Sequence, residues 1–170
     1  MMSPAIRKLM LTVHVTTSVG WLGAIAAYIA LNLPVLTDGG EQDLRAAYLM
    51  MDVVMRYALI PLATAALVTG IVQALGTPWG LFRHYWVTIS LVLTTLAYLV
   101  LVLHQPAVED MAAAAADPQA DVTHLGGDLP HAVGGLVVLL VPLALNIYKP
   151  RGLTRYGWRR TAPARQRLVS

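Results

Sequence analysis

Five histidines carry most of the chemistry this sequence could do. His104, His124 and His131 cluster along one hydrophilic stretch, with Asp128 among them. Neutral imidazole suits zinc, copper and iron, so these three could hold a divalent metal, with Asp128 as a further ligand or as the partner that orients a ligating ring. Alternatively, His104 and His131 could face each other across a helix pair as the axial ligands of a haem b. His14 and His84 form a second candidate pair towards the opposite end of the same helices, and a haem at each end would give a transmembrane electron path. One constraint acts on that picture. At about 100° per residue, His84 and His104 are rotated by roughly 200° on one helix, so they point nearly opposite ways. A plainer account exists for each residue: interfacial polar groups near headgroups and water for His104, His124 and His131, and a hydrogen-bonded bundle histidine for His14.

Other chemistry is thin. The chain has no cysteine, which removes disulfides, thiolate metal sites, cysteine-bound iron–sulfur clusters and covalent haem attachment. There is no G-x-x-x-x-G-K-[ST], H-E-x-x-H or G-x-S-x-G, and no pair of intramembrane carboxylates, so no catalytic motif is evident and an enzyme is the less favoured reading. Met50, Met51 and Met55 invite a Cu(I) reading, although flexible apolar packing is the commoner use of methionine. Arg56 could attract an anionic substrate, but Asp52 four residues earlier pairs with it more simply.

The elements that must position these residues are apolar helices. Charged residues make up 12% of the chain and hydrophobic ones 57%. A soluble domain carries about 25% charge, so this composition does not make a water-facing surface. The reading is all-α: a polytopic membrane protein, a four-transmembrane-helix bundle with spans at residues 9–36, 54–76, 84–104 and 129–148 in one domain of residues 1–150. A basic tail of residues 151–170 follows, with a disordered end. The first run is far longer than a signal-peptide core and lacks a small-residue cleavage site, so it is expected to remain as a span. His14, Thr17, Ser18, Trp21, Ile25, Tyr28 and Asn32 form one stripe along it, which predicts a face turned towards other helices. The second span extends back to Glu41 as one long helix, with a kink near Tyr57 caused by Pro61. The stretch from Gln105 to Pro130 reads as a connection, with a short surface helix over residues 111–116 stopped by Asp117-Pro118.

Gly20, Gly23, Ala24, Ala27, Ala66, Gly70, Gly134 and Gly135 are small enough to let helices approach closely. Thr64, Thr69, Gln73, Thr88, Thr94, Thr95 and Asn146 can hydrogen-bond between helices. The bundle could also be completed as a homodimer or by a membrane partner.

Charge sets the orientation. Of 12 Lys and Arg, Arg7, Lys8, Arg83, Lys149, Arg151, Arg155, Arg159, Arg160, Arg165 and Arg167 fall on one side. All 9 acids (Asp38, Glu41, Asp43, Asp52, Glu109, Asp110, Asp117, Asp121 and Asp128) fall on the other. The positive-inside rule then makes both termini cytoplasmic, and four crossings fit the pattern. The chain is expected in the cytoplasmic (plasma) membrane, with anionic lipids at its basic tail. The pI near 9.4 follows from this sorting and does not point to nucleic acid.

HVTTSVGWLGAIAAYIAL, LGTPWGLFRHYWV, and HAVGGLVVLLV followed by YKPRGLTRYG resemble an uncharacterised family of four-helix integral membrane proteins from actinobacteria. That resemblance covers the spans and both cytoplasmic junctions, and implies topology and location without naming a reaction. A looser, architectural similarity links the chain to copper-resistance-type and cytochrome b-like membrane proteins. Three function classes follow: a bundle with a binding or scaffold role, a b-type haem or metal-binding redox protein, and a small transporter. The missing mid-membrane carboxylate counts against the last.

Overall fold

Ser3 begins the first helix: its hydroxyl oxygen accepts the Ile6 N–H at 3.4 Å, and Pro4 presets the first helical φ. The structure, a computed structural model, describes residues 2–37 and 39–166, with side chains as far as residue 160. Asp38 and Arg167 of the charge map, and the end of the tail, lie outside the described residues. α1 spans Pro4–Leu31 and is followed at Asn32 by a single turn, α2, at Leu33–Leu36. Pro34 has no N–H to give to the carbonyl one turn earlier, so the helix cannot run straight through. The Asn32 side chain instead donates to the Tyr28 carbonyl at 3.0 Å.

The long second element is α3 (Glu41–Val54), a π-helical turn (Met55–Leu59) and α4 (Ile60–Gly76). The expected disturbance near Tyr57 therefore takes a definite form. Pro61 removes the bond that would close on the Tyr57 carbonyl, and the wider turn just before it absorbs the change.

α5 corrects the sequence reading. It runs unbroken from Tyr85 to Ala116 and carries Pro106 within it, so residues 105–116 are not a connection with a separate surface helix. Val108, Ala112 and Ala115 recur at helical spacing and are buried, and α5 packs on α3 with its buried Leu44, Tyr48 and Met51. Burying that face outweighs the one backbone bond Pro106 removes. The helix stops at Asp117-Pro118 as expected, because a residue before proline is driven out of the helical region. α6 covers Leu129–Tyr148 and α7 covers Arg155–Gln166.

Four elements are long and apolar enough to cross a membrane: Pro4–Leu36, Glu41–Gly76, Tyr85–Ala116 and Leu129–Tyr148. No strand occurs among the described residues. Neighbours go round in a ring, with α1 against α4, α4 against α5, α5 against α6, and α6 against α1. One end of the bundle gathers the start of α1 and the segment after α6: the Met2 N–H reaches the Gly76 carbonyl at 3.3 Å, and the Thr154 N–H reaches that of Arg83 at 2.9 Å. This is termed the terminal end, and the other the distal end. At the terminal end Gly157 lies so close to the Arg83 backbone that a Cβ there would overlap it, which seats α7 against the turn before α5.

The stripe on α1 faces inward as its spacing predicts, with Trp21, Ile25, Tyr28 and Asn32 buried. The small residues divide into two groups. Gly20 meets Leu62, and Gly70 makes room for the His14 ring. Gly134 and Gly135 contact no other helix where a Cβ would stand, so they are not close-approach points; they line a cavity instead. The hydroxyl and amide residues also behave differently from simple interhelical links. Thr64, Thr69, Thr88 and Asn146 all bond to carbonyls of their own chain segment one turn back. Links between helices come from Thr64 to Tyr98, Thr69 to His14 and Asn146 to Ser90.

Candidate functional site

Three elements converge on the carboxylate of Asp128, at the distal end. It immediately precedes α6, and its side chain is 3% exposed. One oxygen, Oδ2, accepts the Tyr28 hydroxyl of α1 at 2.7 Å. The other, Oδ1, lies 2.6 Å from Nε2 of His104 on α5 and 3.1 Å from Nδ1 of His131 on α6. The Asp128 backbone N–H donates to Asn32 Oδ1 at 2.8 Å, which ties the end of α1 to the start of α6. The close approach of Gly127 to Asn32 and Val35 helps this tie, since a side chain there would crowd both. Tyr48 of α3 reaches the same loop, donating to the Gly126 carbonyl at 3.0 Å. A buried carboxylate left without partners would be costly; here each oxygen is satisfied.

The two imidazoles lie face to face, with centroids 3.8 Å apart and planes 18° from parallel. One ligand atom from each of His104, Asp128 and His131 falls within 4.8 Å of the others. His104 is mostly buried and His131 half exposed, so the group is shielded on one side and accessible on the other. It forms the head of a cavity of about 260 Å³ walled by apolar residues such as Ile25, Met55, Leu59 and Leu139. Gly134 and Gly135 contribute the open wall.

The other candidates go elsewhere. His124 sits in the distal loop, exposed, 3.6 Å from Asp121, and is not part of the converging group. His14 Nδ1 lies 3.1 Å from the Ala66 carbonyl and 3.2 Å from the Thr69 hydroxyl, the bonding expected of a bundle histidine. His84 Nδ1 lies 2.9 Å from the Trp79 carbonyl, and its ring packs edge-on against Trp79. Each of these two histidines, towards the terminal end, is thus held by neighbouring residues. Met51 and Met55 are buried in the core cluster and Met50 is exposed, so the three do not form one ligand set. Arg56 pairs with Asp52 at 2.9 Å, as its spacing predicts, and also with Glu109 at 3.1 Å.

Arg45 is the residue the sequence did not single out. Its guanidinium donates to the carbonyls of Ala115, Asp117 and Ala120 and pairs with Glu41, fastening the end of α5 and the following turn onto α3. Only its pair with Glu41 is marked by local spacing; the three carbonyl acceptors are backbone atoms some seventy residues away.

A second cavity, of about 740 Å³, occupies the terminal half of the bundle between α1, α4, α5 and α6. Trp21 and Leu139 line both cavities and stand between them. Comparison with protein-family models, curated proteins and solved structures finds no match.

Proposed function

We propose that this chain is a multi-pass protein of the cytoplasmic membrane that works by binding, and that His104, Asp128 and His131 bind a divalent transition metal. The carrying observation is the convergence of those three donors from two helices at the head of a cavity. Two imidazoles and a carboxylate form the three-ligand set typical of an open zinc site, in which the fourth position is left to water or a ligand. Tyr28 on the second carboxylate oxygen supplies the outer hydrogen bond that orients such a ligand. The face-to-face stacking of His104 and His131 favours one ion approached from the same side over a haem, whose axial histidines stand on opposite faces.

Orientation follows from charge: the basic residues of the terminal end belong in the cytoplasm and the metal group on the outer side. On this placement the basic tail meets the anionic lipid of the cytoplasmic leaflet, and the resemblance to four-helix actinobacterial membrane proteins implies the same location.

The test is metal titration of the protein purified in mild detergent. One Zn²⁺ or Co²⁺ per chain is expected, with the visible bands of Co²⁺ reporting coordination. His104→Ala and His131→Ala should each weaken binding by at least about tenfold. Because protons compete for the same nitrogens, affinity should fall as the solution is acidified. Undiminished binding in the double variant would falsify the assignment, and a Soret band in the purified protein would favour haem. A small transporter is a second reading, supported by the two cavities that meet at Trp21 and Leu139. Metal uptake into liposomes, increased by Trp21→Ala, is its signature.

A further inference from the structure

The cavity in the terminal half of the bundle is larger than the metal pocket and chemically distinct from it. Its volume, about 740 Å³, lies within the range of roughly 300–1,000 Å³ typical of small-molecule sites. Most of its wall is aliphatic or aromatic. At its mouth stand Arg7 and Lys8 from the first turns of α1 and Lys149 from the end of α6, and its lining contains no acidic residue. Lys149 adopts a left-handed conformation, φ 44°, and its Nζ lies 5.9 Å from the centre of the Trp79 ring, beside the same opening.

Deeper in, three lining residues carry polar atoms that are occluded within the protein. The Trp86 and Trp21 indole N–H groups and the Gln73 side-chain oxygen are buried and make no hydrogen bond among the described residues. His14, Ser90 and Asn146 lie along the same wall. An apolar interior, polar groups part-way along and three cations with no counter-charge at the mouth describe one kind of occupant.

We propose that this cavity binds an anionic phospholipid from the leaflet at the terminal end, with an acyl chain between the helices and the phosphate between Arg7, Lys8 and Lys149. The ester region of such a lipid falls between chain and headgroup, where hydrogen-bonding groups are needed. The proposal does not depend on the metal assignment, because no lining residue of this cavity is a donor to that site.

Tryptophan quenching tests it. A Trp21→Phe/Trp79→Phe/Trp158→Phe protein keeps Trp86, which is 6% exposed, as its sole indole. Reconstitution uses phosphatidylcholine vesicles carrying an equal minor fraction of either chain-brominated phosphatidylglycerol or chain-brominated phosphatidylcholine. Trp86 should be quenched more strongly by the anionic lipid. Arg7→Gln, Lys8→Gln and Lys149→Gln should each reduce that preference, by up to about fivefold per charge. These are exposed positions at the ends of helices, so the fold should tolerate them, and unchanged circular dichroism checks this. Ser18→Phe, which fills the cavity from α1, should abolish quenching by either lipid. Equal quenching by the two lipids overturns the proposal, and so does a preference that survives in the triple glutamine variant. Zn²⁺ titration of the same variants should be unchanged, which keeps the result separate from the metal reading.

Discussion

Asp128 is the residue on which the distal end turns, because one side chain satisfies groups on α1, α5 and α6 together. Replacing it with asparagine keeps the shape but removes the charge and one acceptor position. Asp128→Asn is expected to destabilise the protein by about 1–3 kcal/mol and to abolish metal binding, whereas Tyr28→Phe should cost about 1 kcal/mol and leave the three donors in place. Thermal unfolding in detergent, run beside the metal titration, separates these outcomes. A second residue-scale effect lies in the distal loop. The Thr123 hydroxyl and backbone N–H both donate to Asp121 and hold its carboxyl below the usual carboxylate range, helped by His124 and Arg45. A lowered folded pKa stabilises the loop above the ordinary carboxylate value, and that stabilisation is lost as pH falls through the folded pKa. Thr123→Ala should therefore raise the Asp121 pKa in an NMR titration; an unmoved titration would show that these bonds do not persist in solution.

At the scale of elements, contacts with partner helices decide what local sequence leaves open. Gly70 on α4 is occupied from the other side by the His14 ring, 3.0 Å from where a Cβ would stand. Gly70→Val would force that ring off its bonds to Ala66 and Thr69. The expected cost is about 1–3 kcal/mol, read as a lowered unfolding temperature, while Gly23→Ala, which meets nothing, should be close to neutral. The break before Pro61 and the stop at Asp117-Pro118 were legible because proline's effect on its neighbours is local. The continuation of α5 through Pro106 was not, since the burial of Val108, Ala112 and Ala115 needs α3 beside them.

For the whole molecule, the two ends differ in charge and in the cavity each holds. Basic residues gather at the terminal end beside a large apolar cavity, and the described acids lie in the other half, which holds the His104–Asp128–His131 group. Under the positive-inside rule this polarity is what supports the topology proposed above, with both termini in the cytoplasm. A reporter fused after Ser170 should behave as cytoplasmic and one inserted at residue 119 as external; the opposite pattern would overturn the orientation proposed above. Trp21, between the cavities, is where the two halves meet.

The sequence by itself determined the number of long apolar helices, their approximate limits except the far end of α5, and the inward face of α1. Those features follow from hydropathy and helical periodicity, which are properties of a single segment. It also supplied His104, His131 and Asp128 as candidates, because they are ligand-type residues near the ends of apolar helices. Only the tertiary structure decided that these three converge with Tyr28 while His124, His14 and His84 do not. It alone assigned Arg45 to the end of α5, and Gly134 and Gly135 to a cavity wall. Each of those depends on how helices distant in sequence are set side by side, and no spacing within one helix encodes that.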